Sequence, residues 1–134
     1  MPDTLMLEVA TPERQLVSEQ VSGLQLPGKK GYMGILPGHA ALLGQLGVGT
    51  LTYEVGGRKR YLSVHGGFLE INGDRVRVLA ETAERAEEID IQRAEAAHRR
   101  AMEESVNPAL GVDPGAALAA LARAQARIDT AALK

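Results

Sequence analysis

The chain has 134 residues, 45% of them hydrophobic and 24% charged, which is the balance of a soluble globular domain or of one small domain carrying an appendage. A formal net charge of -2 provides no basic surface for a sequence-independent grip on DNA or RNA. The absence of cysteine excludes disulfides, zinc–cysteine sites, iron–sulfur clusters and thiol catalysis together, and with Tyr 3, Phe 1 and Trp 0 the core must be mainly aliphatic.

The N-terminal Met1-Pro2-Asp3-Thr4-Leu5 lacks the basic region, apolar run and cleavage site of a secretory signal, and there is no Arg-rich transit segment. No window approaches the roughly 20 apolar residues of a spanning helix, so membrane association has to go through a partner. Up to residue 87, short apolar runs alternate with polar residues between glycines and prolines, which predicts half-buried antiparallel strands. Leu5, Leu7 and Val9 share one face. Leu51, Tyr53 and Val55 alternate with Thr50, Thr52 and Glu54, and Gly56-Gly57 reads as a tight hairpin turn into Arg58 to Val64. Gly66-Gly67 reads as a further break before Phe68 to Ile71, and Asn72-Gly73-Asp74 as a turn leading to Val76 and Val78.

After residue 88 alanine takes over. Asp90 is a good N-cap, and Ile91, Ala94, Ala97, Ala101 and Met102 recur at steps of three and four, predicting a helix from Asp90 to Glu104. A loop from Ser105 to Asp113 follows. Pro114 then sits at the first position of a second helix that carries Ala117, Leu121, Ala124 and Ile128 on one stripe. The fold class is therefore an antiparallel β-sandwich or flattened barrel, residues 1–87, followed by a C-terminal αα-hairpin, residues 88–134. Alanine favours helix but buries little area, and burial stabilises by about 25 cal/mol per Å². Two outcomes stay open on this ground: a hairpin that holds its shape better than its position and docks weakly, or a plain Ala-lined helical pair packed permanently on the sandwich.

Nothing in the chain argues for catalysis. Gly23-x-x-x-x-Gly28-Lys29-Lys30 approximates a phosphate loop but lacks the final hydroxyl, and the required passage from strand to helix fails because Leu24-Gln25-Leu26 within it alternates like a strand and Gly31 follows. His39, His65 and His98 share no ligand spacing, so no metal site is assigned. The acidic run Glu84, Glu87, Glu88 and Asp90 fits favourable charge at a helix N-terminus. The arginines Arg93, Arg99 and Arg100 on the first helix and Arg123 and Arg127 on the second either form a solvated face paired with glutamates or converge on one anion, for which guanidinium forks are well suited.

Three segments carry a family resemblance: Gly34-Ile35-Leu36-Pro37-Gly38-His39-Ala40, then Gly66-Gly67-Phe68-Leu69-Glu70, then Val78-Leu79-Ala80-Glu81-Thr82-Ala83-Glu84 running into Ile89-Asp90. In this order, with a β-then-αα layout, they resemble the epsilon subunit of bacterial and chloroplast F-type ATP synthases, equivalent to the mitochondrial delta subunit. The resemblance covers almost the whole chain. It implies a non-catalytic rotor component whose sandwich binds the gamma subunit and rests on the c-ring, with Tyr32, Met33, Pro37 and His39 in the loop region that meets those neighbours. Many members carry a carboxylate where Tyr32 stands, so a charge contact to the ring does not carry over. It further implies a peripheral location on the cytoplasmic face of the bacterial inner membrane, or the stromal face of the thylakoid.

The same resemblance implies a hairpin that switches between a compact state and an extended one reaching the alpha/beta catalytic head, where it inhibits ATP hydrolysis, with Arg123 and Arg127 facing acidic surface. Ile89-Asp90-Ile91-Gln92-Arg93-Ala94 matches the Ile/Leu-Asp-x-x-Arg-Ala motif of members that bind ATP in the compact state. Carried over, Glu84, Ile89, Asp90 and Ala94 surround the adenine, while Arg93, Arg100, Arg123 and Arg127 lie toward the phosphates. ATP would be a regulatory ligand, and no cofactor is required. The alternative is a stand-alone nucleotide-sensing module that uses these arginines without a rotor.

Overall fold

The computed structural model describes residues 3–134; Met1 and Pro2, the first two residues of the N-terminal segment in which no secretory signal is expected, lie outside the described residues. Seven strands come first: β1 (Leu5–Ala10), β2 (Gln15–Val21), β3 (Gly23–Gly28), β4 (Gly31–Ile35), β5 (Leu42–Val55), β6 (Arg58–Asn72) and β7 (Arg75–Arg85). They form one hydrogen-bonded sheet in the order β2-β1-β7-β6-β5-β3-β4. Pairing is antiparallel except between β1 and β7, which run parallel. Alternation sees strands but not partners: hairpin neighbours are held antiparallel by their turns, whereas β1 and β7 meet from opposite ends of the chain of strands with no turn between them.

The sheet curls on itself, so that Tyr53 of β5 donates from Oη to Glu19 of β2 at 3.4 Å. The enclosed core is aliphatic, with Leu5, Leu7, Leu26, Ile35, Leu51 and Val64 at 0% exposure. Lys29-Lys30 forms the turn between β3 and β4, so the glycine-rich stretch there joins strand to strand and is no phosphate loop.

Gly66-Gly67 does not break a strand. It lies inside β6, and the inward-facing parity slips there: Leu62 and Val64 are buried before it, Leu69 and Ile71 after it. The neighbours slip in the same row, from Leu46 to Leu51 and Tyr53 on β5 and from Val76, Val78 and Ala80 to Ala83 on β7. Gly67 holds φ at 126°, and a Cβ there would lie 2.9 Å from Ala80 Cα, so the bend requires glycine.

Behind the strands, a 3₁₀ turn at Ala86–Glu88 leads to α1 (Ile91–Val106), a second at Pro108–Leu110 fills the loop, and α2 (Pro114–Ala131) runs back. Both helices start as the sequence predicts. Asp90 Oδ1 accepts from the Arg93 N–H at 3.1 Å, and Asp113 Oδ2 from the Ala116 N–H at 3.0 Å, each cap being worth about 1 kcal/mol. The buried positions, however, include alanines seven apart, Ala94 and Ala101 on α1 and Ala117, Ala124 and Ala131 on α2, and on α2 also Ala126 and Thr130. Ile91 and Met102, placed on the inward stripe by spacing, are 39% and 50% exposed, because close-packed alanine helices leave no room between them for larger side chains. α2 lies across β5 and β6, with α1 packed on α2. No described helix is long and apolar enough to cross a membrane.

Candidate functional site

Sheet, linker and helices enclose a cavity of about 500 Å³. Its sheet wall comes from the β1–β2 turn (Thr11, Glu13, Arg14) and from Glu81 to Glu84 of β7. The opposite wall is the Asp90 cap with Arg93, Ala94 and Ala97 of α1, closed by Arg127 of α2. The β1–β2 turn is fixed locally, since Thr11 Oγ1 accepts from the backbone N–H groups of Glu13 and Arg14 at 3.2 and 3.3 Å. The Asp90 cap sets the first turn of α1, which places Arg93 and Ala94 along the rim.

Three guanidiniums and four carboxylates line this space. Arg127 Nε donates to Glu84 Oε1, tying α2 to β7. Arg14 grips Glu88 with both terminal nitrogens, at 2.8 and 3.0 Å, and this holds the Glu88 carboxyl below its ordinary 4.5. Arg93 forms no ion pair among the described residues. The size suits a small polar ligand, and the free Arg93 beside an ion-paired Arg127 gives an anion two forks to engage.

The floor beside the cavity is polar. His65, 2% exposed, has Nε2 at 2.7 Å from Ser63 Oγ and Nδ1 at 2.7 Å from Thr82 Oγ1. Burial, then the charges of Arg127 and Arg123, push its pKa down to about 4, so the ring is neutral. Thr50 and Thr130 share a 2.7 Å hydrogen bond between β5 and α2. The Ser63–His65 pair has nucleophile–base spacing, but α2 seals it from any substrate. It therefore serves the seam between sheet and hairpin.

Of the eight residues that the resemblance implies, the structure places Glu84, Asp90, Arg93, Ala94 and Arg127 around one cavity and leaves three out. Ile89, a residue of the linker itself, is buried at 6% exposure and does not line the cavity. Arg100 lines a second, shallower groove between the helices and is paired with Glu104 at 2.7 Å. Arg123 lines neither, its charge being felt instead by His65. Among the lining residues that sequence reasoning misses are Thr11, Glu13 and Arg14, because no pattern in the chain brings the β1–β2 turn to the hairpin.

The predicted contact loop is more constrained than it reads. Tyr32 is 56% exposed, but its Oη accepts from the Thr50 N–H at 3.0 Å. Gly49 gives that ring room, since a Cβ there would also meet Pro27 Cβ at 3.1 Å. Met33 packs partly buried against the core. Pro37 and His39 are half-buried in the β4–β5 loop, which Asp74 braces by accepting from the Gly38 N–H at 3.3 Å. A bare apolar patch lies elsewhere: Phe68 and Leu79 are cross-strand partners at 55% and 60% exposure, with Leu43 at 76% on β5. Their parity, opposite to that of Leu69, Val78 and Ala80, is the signal that marks them in the sequence.

Comparison with known proteins agrees with this architecture. The family model described as "ATP synthase, Delta/Epsilon chain, beta-sandwich domain" matches residues 4–86. The chain is 70% identical to the ATP synthase epsilon chain of Solibacter usitatus over 98% of both chains. It is 44% identical to that of Nitratidesulfovibrio vulgaris strain DP4 over 96% of both. Among solved structures, a chain of the Euglena gracilis mitochondrial ATP synthase (OSCP/F1/c-ring, rotational state 1) superposes with a TM-score of 0.85 at 28% identity, covering 100% of this chain and 84% of that one. By fold, by the matched sandwich and by identity along nearly its whole length, the chain belongs to the ATP synthase epsilon chain family.

Proposed function

We propose that the chain is a central-stalk rotor subunit of a proton-translocating F-type ATP synthase, and that its hairpin regulates ATP hydrolysis in response to ATP. As an epsilon chain it is a non-catalytic subunit of ATP synthase, serving ATP synthesis and proton transport. Residues 1–87 bind the gamma subunit and rest on the c-ring, and the bare Leu43, Phe68 and Leu79 patch supports a lasting protein contact there. Residues 88–134 form the regulatory unit, which in an extended state reaches the alpha/beta catalytic head. The subunit is held at the membrane, on the cytoplasmic face in a bacterium, only through the complex.

One observation carries the regulatory reading: the cavity is walled half by the sheet and half by the hairpin. A ligand that needs both walls binds only the compact state, and its differential affinity sets how far it shifts the equilibrium. ATP fits, with its phosphates toward Arg93 and Arg127 and its base toward Glu84, Asp90 and Ala94. Calorimetry with ATP on the isolated chain is expected to show binding in the millimolar range or tighter, lost in Arg93→Ala; no heat from the wild type sinks the ATP reading. Removing residues 89–134 is expected to raise ATP hydrolysis by the reconstituted complex, and unchanged hydrolysis sinks the inhibitory role. The bare patch favours this reading over a free nucleotide sensor, which has no use for it.

A further inference from the structure

Which cations the two walls contribute decides whether an anion in this cavity can hold the hairpin down. Arg93 and Arg127 both belong to the hairpin, one on α1 and one on α2. An anion engaging only these two would bridge helix to helix, would move with the hairpin, and would give its charge no preference for the docked state. The sheet wall contributes one cation, Arg14 of the β1–β2 turn; its remaining charged groups, Glu13, Glu81 and Glu84, repel an anion. We propose that Arg14 is a phosphate-contacting residue of this cavity and the group through which an anion's charge is tied to the sheet. This rests on the nucleotide reading given above.

Arg14 is held ready but engaged. Its two terminal nitrogens bind Glu88 at 2.8 and 3.0 Å, and Glu88 lies in the linker between β7 and α1, where its Oε1 also accepts from the Arg85 N–H at 3.0 Å. The pair is half open to solvent, with side chains 43% and 34% exposed, so water can replace either partner. A phosphate in the cavity competes with Glu88 for the same fork. Exchange moves Arg14 from a contact between sheet and linker to a contact between sheet and ligand, and through the ligand to both helices. Glu88 thus acts as a built-in competitor that lowers the affinity.

The test is calorimetry of the full chain with ATP and, separately, with inorganic tripolyphosphate. Arg14→Ala is expected to weaken both ligands about tenfold, the scale of one charge-assisted contact. Glu88→Gln keeps the acceptor for the Arg85 N–H but removes the competing charge, and is expected to strengthen both about threefold. In the double variant the Glu88→Gln gain should vanish, because the freed fork is absent. The opposite signs are the diagnostic feature: a purely structural ion pair would move both single variants the same way. Arg14→Ala within twofold of wild type, or both variants weakened alike, overturns the proposal while leaving ATP binding intact. Loss of ATP binding in Arg93→Ala with Arg14→Ala unaffected overturns it equally, and no binding to the wild type removes this proposal together with the reading it rests on.

Discussion

At the scale of single residues, His65 has the clearest consequence for pH. Its pKa is about 4 in the fold and ordinarily about 6.5, so between those values the unfolded chain binds a proton that the folded chain refuses. The stability it supports is complete above about pH 6.5 and is lost as pH falls toward 4. A protonated ring would face the charges of Arg123 and Arg127 of α2, with the hydroxyls of Ser63 and Thr82 as its hydrogen-bond partners on the sheet and the nearby Glu84 carboxylate already taken by Arg127. Hydrogen exchange of α2 amides followed from neutral pH downward is expected to accelerate across this window. His65→Gln should flatten that dependence. The Arg14–Glu88 pair fails in the same direction but lower, as Glu88 protonates below its ordinary 4.5. Neither residue is legible in the sequence for its role. His65 shows nothing in its own neighbourhood because its burial comes from a helix some 60 positions later, and contacts at that separation leave no local pattern.

At the scale of elements, most of the architecture is legible in the sequence and the exceptions have a common cause. The Asp90 and Asp113 caps, the Gly56-Gly57 and Asn72-Gly73 turns and the change of periodicity near residue 88 act within a few residues, so spacing reveals them. The parity slip at Gly66-Gly67 is a property of three strands bending in one row, and a single strand read alone turns it into a break. The slip also makes a firm prediction. Gly67→Ala adds a Cβ against the β7 backbone at a φ of 126°, and is expected to cost about 2–4 kcal/mol, read as a lowered denaturation midpoint. The helix stripes fail at Ile91 and Met102 for a similar reason: spacing gives a face, but the interhelical distance set by Ala94, Ala101, Ala117 and Ala124 decides which residues fit on it.

At the scale of the whole molecule, two faces differ in kind. The Leu43, Phe68 and Leu79 patch is uncovered in the isolated chain, and a charge placed there should spare the fold while harming assembly. Phe68→Glu is expected to change stability by no more than about 0.5 kcal/mol, as for an exposed site, yet to lower the amount of the chain recovered with the detergent-extracted complex. Recovery equal to wild type would remove the patch from the assembly surface. The face beneath α2 is another matter. Thr50, Ser63, His65, Thr82 and Glu84 floor it, and Thr130, Arg127 and alanine methyls meet them from above. Every one of those polar groups can be satisfied by water, so parting the two surfaces exchanges one set of hydrogen bonds for another and leaves no sticky scar to aggregate or misdock. If the hairpin leaves the sheet as proposed, a joint floored this way uncovers hydroxyls, charges and alanine methyls rather than a surface of leucine and phenylalanine.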